Sequence, residues 1–220
     1  MINIGGGYFF KRHWKVLDRP SQWYSFVDGS IDYVFDLTSN EPFPLATASV
    51  SFFYSSHTLE HIPQGCCQHV LDEIYRCLKP DGAVRLVMPD FDRAYEAFAQ
   101  TDLDFFNGYP GTCLEEKFLD CFATYLKDKV SPEELGRNFE SMPQDEFADY
   151  YTGKIPQDSQ KIYTGNHINW WNYEKLDKML KQAGFRAVHR STKQDSRFTE
   201  MRGRDFDTHP EVSLYVEAVK

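Results

Sequence analysis

Short apolar runs rich in β-branched and aromatic residues recur through the first ninety positions. They are MINIGGG from Met1, HWKVLD ending on Asp18, IDYVFDL around Asp36, SVSFFYSSH reaching His57, and AVRLVMPD ending on Asp90. Brief runs of this kind read as buried strands of a mostly parallel sheet. Between the fourth and fifth, CCQHVLDEIYRCLKPDG sets Val70, Leu71, Ile74, Tyr75 and Leu78 at helical spacing. The helix is expected to stop at the breaker cluster Lys79-Pro80-Asp81-Gly82. Strand, helix, turn and strand make a βαβ unit with a right-handed crossover.

Beyond Asp90 the pattern changes. Residues 91–165 carry helical fragments (FDRAYEAFA, LEEKFLDCFATYLKD) and loop-like stretches (NGYPG, YYTGKIPQDSQ). They predict a helical insertion over the sheet edge. NYEKLDKMLKQAGF then reads as an amphipathic helix closed by Gly184, and FRAVHRST and VSLYVEAVK as two strands joined by a polar loop. A hairpin-like pair at the end of an α/β chain predicts an antiparallel last strand. The expected fold is α/β, a single domain over 1–220 with 91–165 inserted.

At 220 residues the chain can bury roughly 70–75% of its unfolded surface and needs no staple. With 41% hydrophobic and 26% charged residues it is globular rather than disordered. The aromatic content of 16% suits a deep pocket or a rich core. A net charge of −9 argues against long nucleic acid as a partner, which demands a basic face. One basic stretch, holding Arg186, Arg190, Lys193, Arg197, Arg202 and Arg204, is a solvated surface or a rim for an acidic small substrate. Five cysteines without a C-x-x-C pair point to a reduced, cytoplasmic protein, and no run approaches the ~20 apolar residues of a membrane span.

Ligands of open parallel sheets bind beyond the carboxyl ends of the strands. Those ends hold Gly5–Gly7, Asp18, Asp36, Ser55–His57 and Asp90. Glycines admit a ligand close to the backbone. One acid can accept from two ribose hydroxyls, and another from an adenine amino group. With INIGGG…WKVLD, PFPLATASVSFFYSSHTLEHI, VLDEIYRCLKPDGAVRLVMPDF and GNHINWWNYEKLDKMLKQAGF in that order, the chain resembles the class I S-adenosylmethionine-dependent methyltransferases, particularly their type-11 branch. The resemblance covers residues 1–91 and about 165–220.

It implies a Rossmann-like sheet, mostly parallel with an antiparallel last strand, and S-adenosylmethionine as cofactor. Gly5, Gly6 and Gly7 match the glycine loop under the methionine part, and Asp18 the ribose-binding acid. Asp36 and Leu37 match the adenine-side pair. Ser55, Ser56 and His57 match the loop facing the sulfonium and the substrate. GYFFKRHW leaves little room for the helix that usually follows the glycine loop.

The stretch His57-Thr58-Leu59-Glu60-His61 also spells H-x-x-E-H, the spacing of one class of zinc peptidases. A zinc site needs both histidines on one helix face and a third ligand. Here His57 follows a strand directly, Pro63 cuts the helix short, and Glu115 and Glu140 are merely available carboxylates. The expectation is no metal, with Glu60 and His61 shaping the loop. A neutral imidazole near the reactive methyl suits a hydroxyl or amine acceptor near pH 7, so His57 is a candidate catalytic residue. His167, in GNHINWW, is a second, since aromatic walls with a few polar groups build small-molecule sites.

The expected activity is methyl transfer to a small-molecule or metabolite-linked acceptor, with 91–165 as a substrate lid. A catalytically weak methyltransferase-like interaction module is one alternative, and a zinc hydrolase built on HTLEH is another.

Overall fold

The computed structural model describes residues 1–220 except 8, 10, 21–29, 157 and 208. Seven strands form one sheet: β1 (Ile2–Ile4), β2 (Lys15–Asp18), β3 (Tyr33–Val34), β4 (Val50–Ser56), β5 (Leu78–Pro89), β6 (Ala187–Ser191) and β7 (Ser213–Val219). Their order is β3-β2-β1-β4-β5-β7-β6. All pairings from β3 to β5 are parallel, and β7 runs antiparallel to both β5 and β6. The mostly parallel sheet with an antiparallel last strand is as the sequence predicts. The order reverses between β1 and β4, where chain crossovers leave in opposite directions and open a crevice at the strand ends.

The helix between β4 and β5, α1 (Gln64–Cys77), buries Cys67, Val70, Leu71, Ile74 and Cys77. Their spacing makes one apolar stripe against the sheet. The breaker cluster behaves differently from its expected role. Leu78 already pairs with Val50 in β5, and Lys79–Gly82 bulge before Ala83 pairs with Phe52. Asp81 adopts a φ of 61° there. A Cβ on Gly82 would sit 2.9 Å from the Lys79 carbonyl and 3.0 Å from that of Ser51, so only glycine fits the bulge.

The second helix on that face is α7 (Tyr173–Ala183). Asn172 caps it by accepting from the Lys175 N–H at 2.9 Å, and Gly184 ends it in the left-handed region at φ 109°.

The other face carries no α-helix among the described residues, only the 3₁₀ turn Thr199–Met201. Phe9, Trp14, Met201 and Phe206 cover Tyr54 and Tyr215 instead. The segment between β6 and β7, expected to be a polar loop, is thus a packed one. Arg85 in β5 anchors it: its guanidinium donates twice to Asp207, at 2.9 and 2.7 Å, and once to Glu217 at 3.0 Å. All three side chains are buried.

Residues 91–165 form α2 (Phe91–Ala99), α3 (Leu114–Asp120), α4 (Pro132–Ser141), α5 (Gln144–Gly153) and the short α6 (Ser159–Ile162). They enclose their own core of aromatic rings. Phe98 stacks on Phe118 with centroids 4.3 Å apart, and Tyr95 on Phe139 at the same distance. Phe91 and Trp170 join this core at the two ends of the insertion. Much of the aromatic content is therefore core rather than pocket wall.

Candidate functional site

Beyond the carboxyl ends of β1, β2 and β4 lies a cavity of about 420 Å³. That is within the range of about 300–1,000 Å³ typical of small-molecule sites. From β1 and the turn after it come Asn3, Gly5, Gly6 and Gly7, from the end of β2 Asp18 and Arg19, and from the turn after β3 Asp36 and Leu37. Ser56, His57, Thr58 and His61 enter from the end of β4, and Gln160, Thr164 and Gly165 from the end of the insertion. Eight of the nine positions expected to meet a cofactor share this space.

Ser55 is the exception. It is buried below the cavity, and its hydroxyl donates to the Ile4 carbonyl at 3.1 Å, tying β4 to β1. Side chains of a strand alternate faces, so Ser56 points where Ser55 cannot.

The glycine turn is fixed by packing. Gly5 has φ 67°, and a Cβ there would lie 2.2 Å from Thr58 Oγ1. A Cβ on Gly6 would lie 2.4 Å from Val16. Neither position tolerates a side chain, and the turn stays close to both β2 and the β4 loop. No helix separates it from β2 among the described residues, as the shortness of GYFFKRHW implies.

Asp18 is half-buried. Burial pushes its carboxyl pKa up, partly offset by hydrogen bonds from the Arg19, Gly7 and Gly6 backbone. Its Oδ1 accepts from the Arg19 N–H at 2.7 Å. Asp36 lies past the short β3, in a turn where Oδ1 accepts from the Thr38 N–H at 2.9 Å and hydroxyl at 2.8 Å. Arg19 reaches its other oxygen at 3.5 Å.

Sequence reasoning missed Asn3. It is 2% exposed, lines the cavity floor, and its Oδ1 has no hydrogen-bond partner. An unsatisfied buried carbonyl costs about 1–3 kcal/mol, so this one suits a ligand donor. The signal was an amide in the middle of the buried strand Ile2-Asn3-Ile4.

The H-x-x-E-H stretch is one turn of 3₁₀ helix, Leu59–His61, rather than a longer helix. His57 precedes it at φ 50°, a conformation rare for a side-chain-bearing residue and frequent at functional sites. Its Nε2 lies 2.8 Å from Ser213 Oγ, and its Nδ1 lies 3.2 Å from Glu60 Oε1. Glu60 is completely buried. Burial alone would push its carboxyl up, but His57, His61 and His167 around it hold the pKa at about 2.

His167, expected in the substrate pocket, stands one side chain back from the cavity. Its ring lies 4.9 Å from that of His61, and its Nδ1 is 3.0 Å from the Cys121 carbonyl. Desolvation, helped by the charge of His61, lowers its pKa to about 4. His209 reaches the cavity from the loop before β7.

Asp90 does not line the cavity; it pairs with Arg190 at 2.7 Å. None of the six basic residues between Arg186 and Arg204 lines it either.

Residues 21–86 match the family model described as a methyltransferase domain. This span contains Asp36, Leu37 and Ser55–His57, and begins after the glycine turn and Asp18. About a third of the chain is thus similar to a methyltransferase domain, and the fold of the whole is that of class I S-adenosylmethionine-dependent methyltransferases. The sheet order and the antiparallel last strand agree with that fold. An S-adenosylmethionine-dependent methyltransferase from Mesorhizobium loti superposes with a TM-score of 0.53 at 15% identity, covering 100% of this chain and 89% of its own.

A possible histamine N-methyltransferase from Thermotoga maritima gives 0.47 at 16% identity, covering 100% of this chain and 81% of its own. Human N-acetylserotonin methyltransferase, solved with S-adenosylmethionine, gives 0.42 at 13%, covering 94% and 40%. No curated protein matches the sequence. No helix among the described residues is long and apolar enough to cross a membrane.

The residues lining the cavity fit S-adenosylmethionine, the cofactor that the resemblance implies. The cavity offers an unsatisfied buried acceptor in Asn3, a half-buried acid in Asp18, and a close backbone turn between them.

Proposed function

We propose that the protein is an S-adenosylmethionine-dependent methyltransferase acting on a small-molecule or metabolite-linked acceptor that enters the cavity at the carboxyl ends of β1 and β4. The observation that carries this reading is the convergence of Asn3, Asp18 and His57 on one space. When bound, S-adenosylmethionine supplies an electrophilic methyl group on a sulfonium.

Asp18 would accept from the ribose hydroxyls, and its raised pKa reflects burial that such donors offset. Leu37 would pack against the adenine, with Asp36 beside it. The backbone at Gly5–Gly7 would meet the methionine part, and Asn3 Oδ1 would accept from a donor there. Ser56 would face the sulfonium.

His57 would hold the acceptor, and take its proton where the acceptor must lose one. Glu60 and Ser213 fix its ring, so positioning accounts for much of its contribution. The catalytic role is proposed for His57 and not for His167, which does not reach the cavity. Gln160, Thr164 and Gly165 would select the acceptor, the part of the insertion that forms a lid. The five free cysteines support a reduced, cytoplasmic setting.

A second reading, a catalytically weak interaction module, draws on one observation: the glycine turn runs into β2 with no helix behind it among the described residues.

Thermal unfolding with and without S-adenosylhomocysteine separates the two. A ligand that binds only the native state stabilises it by about 2.7 kcal/mol at a hundredfold excess over Kd. The melting temperature is expected to rise in the wild type and to rise much less in a folded Asp18→Ala variant. No shift at millimolar ligand counts against the enzyme reading, and an equal shift in both proteins counts against Asp18.

A further inference from the structure

Glu60, His61 and His167 bring one ligand atom each to within 4.8 Å of one another. Only His61 of the three lines the cavity. The hydrogen bonds behind these side chains decide which atoms are free. His61 Nδ1 is 2.9 Å from the Asn166 carbonyl, and His167 Nδ1 is 3.0 Å from the Cys121 carbonyl. A carbonyl only accepts, so both Nδ1 atoms carry the proton. In the neutral ring each Nε2 then presents a lone pair. This is the arrangement by which metal-ligating histidines are held, the outer nitrogen donating to a backbone carbonyl while the inner one is left to the metal.

The carboxylate supplies an independent observation. Glu60 is fully buried, and neither of its oxygens accepts a hydrogen bond among the described residues. His57 Nδ1 contacts Oε1 at 3.2 Å without hydrogen-bond geometry, and His61 Nε2 is 3.9 Å from the same atom. A buried carboxylate normally takes two or three donors. One with only a poorly aligned contact from His57 on one oxygen and none on the other, beside two further imidazoles, has the surroundings of a ligand rather than of a loop-shaping group.

We propose that Glu60, His61 and His167 form a binding site for a divalent first-row transition-metal ion. Two imidazoles and one carboxylate are borderline to hard donors, which suits zinc, manganese, iron(II) or cobalt over calcium. Ligand bonds of about 2.0–2.2 Å require donors about 3.4 Å apart in a tetrahedron. Closing the present spread of up to 4.8 Å takes about an ångström of side-chain adjustment.

The expectation of no metal was built on His57 pairing with His61 and on a missing third ligand. The fold groups the residues differently: His57 turns to Ser213, and His167 arrives from more than a hundred positions away. The metal would clasp the turn after β4 to the segment leading into α7, which already meet where the Ile168 N–H donates to the Glu60 carbonyl at 2.9 Å. It would sit behind the cavity wall and steady His57 through Glu60.

The test uses the full chain, stripped with a chelator and then titrated with cobalt(II) and zinc(II). Visible absorption of bound cobalt and elemental analysis after zinc loading and desalting are expected to give one ion per chain. Glu60→Gln and His167→Ala are expected to weaken cobalt binding by more than about tenfold. His69→Ala, whose ring sits on the exposed face of α1 against the Glu41 carbonyl, is expected to leave it unchanged.

Failure of the wild-type protein to retain either ion overturns the site whatever the variants do. So does a thiolate-to-cobalt charge-transfer band, which would place the ion on cysteine. Cobalt affinity unchanged in folded Glu60→Gln also overturns it. The titration needs no cofactor, so it is independent of the outcome with S-adenosylhomocysteine.

Discussion

Arg85→Met tests what holds the face of the sheet covered by the segment between β6 and β7. The guanidinium makes five hydrogen bonds: two to Asp207, one to Glu217, one to Ser191 Oγ and one to the Thr192 carbonyl. Methionine fills similar space but leaves two buried carboxylates without their cation. Each keeps one backbone donor, from Gln194 to Asp207 at 2.5 Å and from Arg197 to Glu217 at 3.0 Å. Removing one partner of a buried ion pair costs about 3–5 kcal/mol, and these surviving donors keep the expected loss near the middle, about 4 kcal/mol. For a chain of this size each kcal/mol lowers the melting temperature by about 2–4 °C, so a fall of about 8–16 °C is expected.

Urea unfolding followed by circular dichroism measures the loss as a change in midpoint with unchanged slope. The triple variant Arg85→Met, Asp207→Asn, Glu217→Gln removes the stranded charges as well and is expected to recover most of it. A single-variant loss below about 1 kcal/mol, or a triple variant no more stable than the single, refutes the reasoning.

Two further outcomes follow from buried groups near the site. Desolvation lowers the Lys175 pKa from 10.5 to about 8, with Asp149 and Asp145 opposing. Its folded pKa lies below its unfolded value, so the burial penalty is fully present below pH 8 and is relieved as pH rises toward 10.5. The shift corresponds to about 3 kcal/mol. Stability of the wild type relative to Lys175→Met should therefore rise between pH 8 and pH 10, and a flat difference counts against a depressed pKa.

Gly6→Ala drives a methyl to 2.4 Å from Val16 Cγ1 and should cost about 1–3 kcal/mol by overpacking, with partial recovery in Gly6→Ala combined with Val16→Ala. Full stability in the single variant, read by the same urea titration, would show that the turn is looser than its contacts indicate.

The sheet was legible because its strands are short apolar runs separated by sharp turn signals, and because α1 and α7 carry clean helical stripes. The strand-end residues followed from topology: a parallel sheet aims Asp18, Asp36 and His57 at one crevice. Three features were not legible, each because it depends on partners distant in sequence. Arg85 reads as an outward polar residue in AVRLVMPD until Asp207 and Glu217 are seen around it, 122 and 132 positions later. The loop between β6 and β7 looks polar by count, yet its few apolar members, Met201 and Phe206, are the ones turned inward. The third is the grouping of Glu60 and His61 with His167, because the spacing in HTLEH pairs His57 with His61 instead. The spacing in HTLEH says nothing of His167, which the insertion carries back to their side.

The central claim is that the strand ends of β1, β2 and β4 hold S-adenosylmethionine in a site built by Asn3, Asp18, Asp36 and His57. A crystal structure with S-adenosylhomocysteine tests it most directly. The account predicts adenosine beside Asp36 and Leu37, ribose hydroxyls within hydrogen-bond distance of Asp18, and a donor of the methionine part on Asn3 Oδ1. Ligand density at another place on the chain, or ribose remote from Asp18, would contradict it.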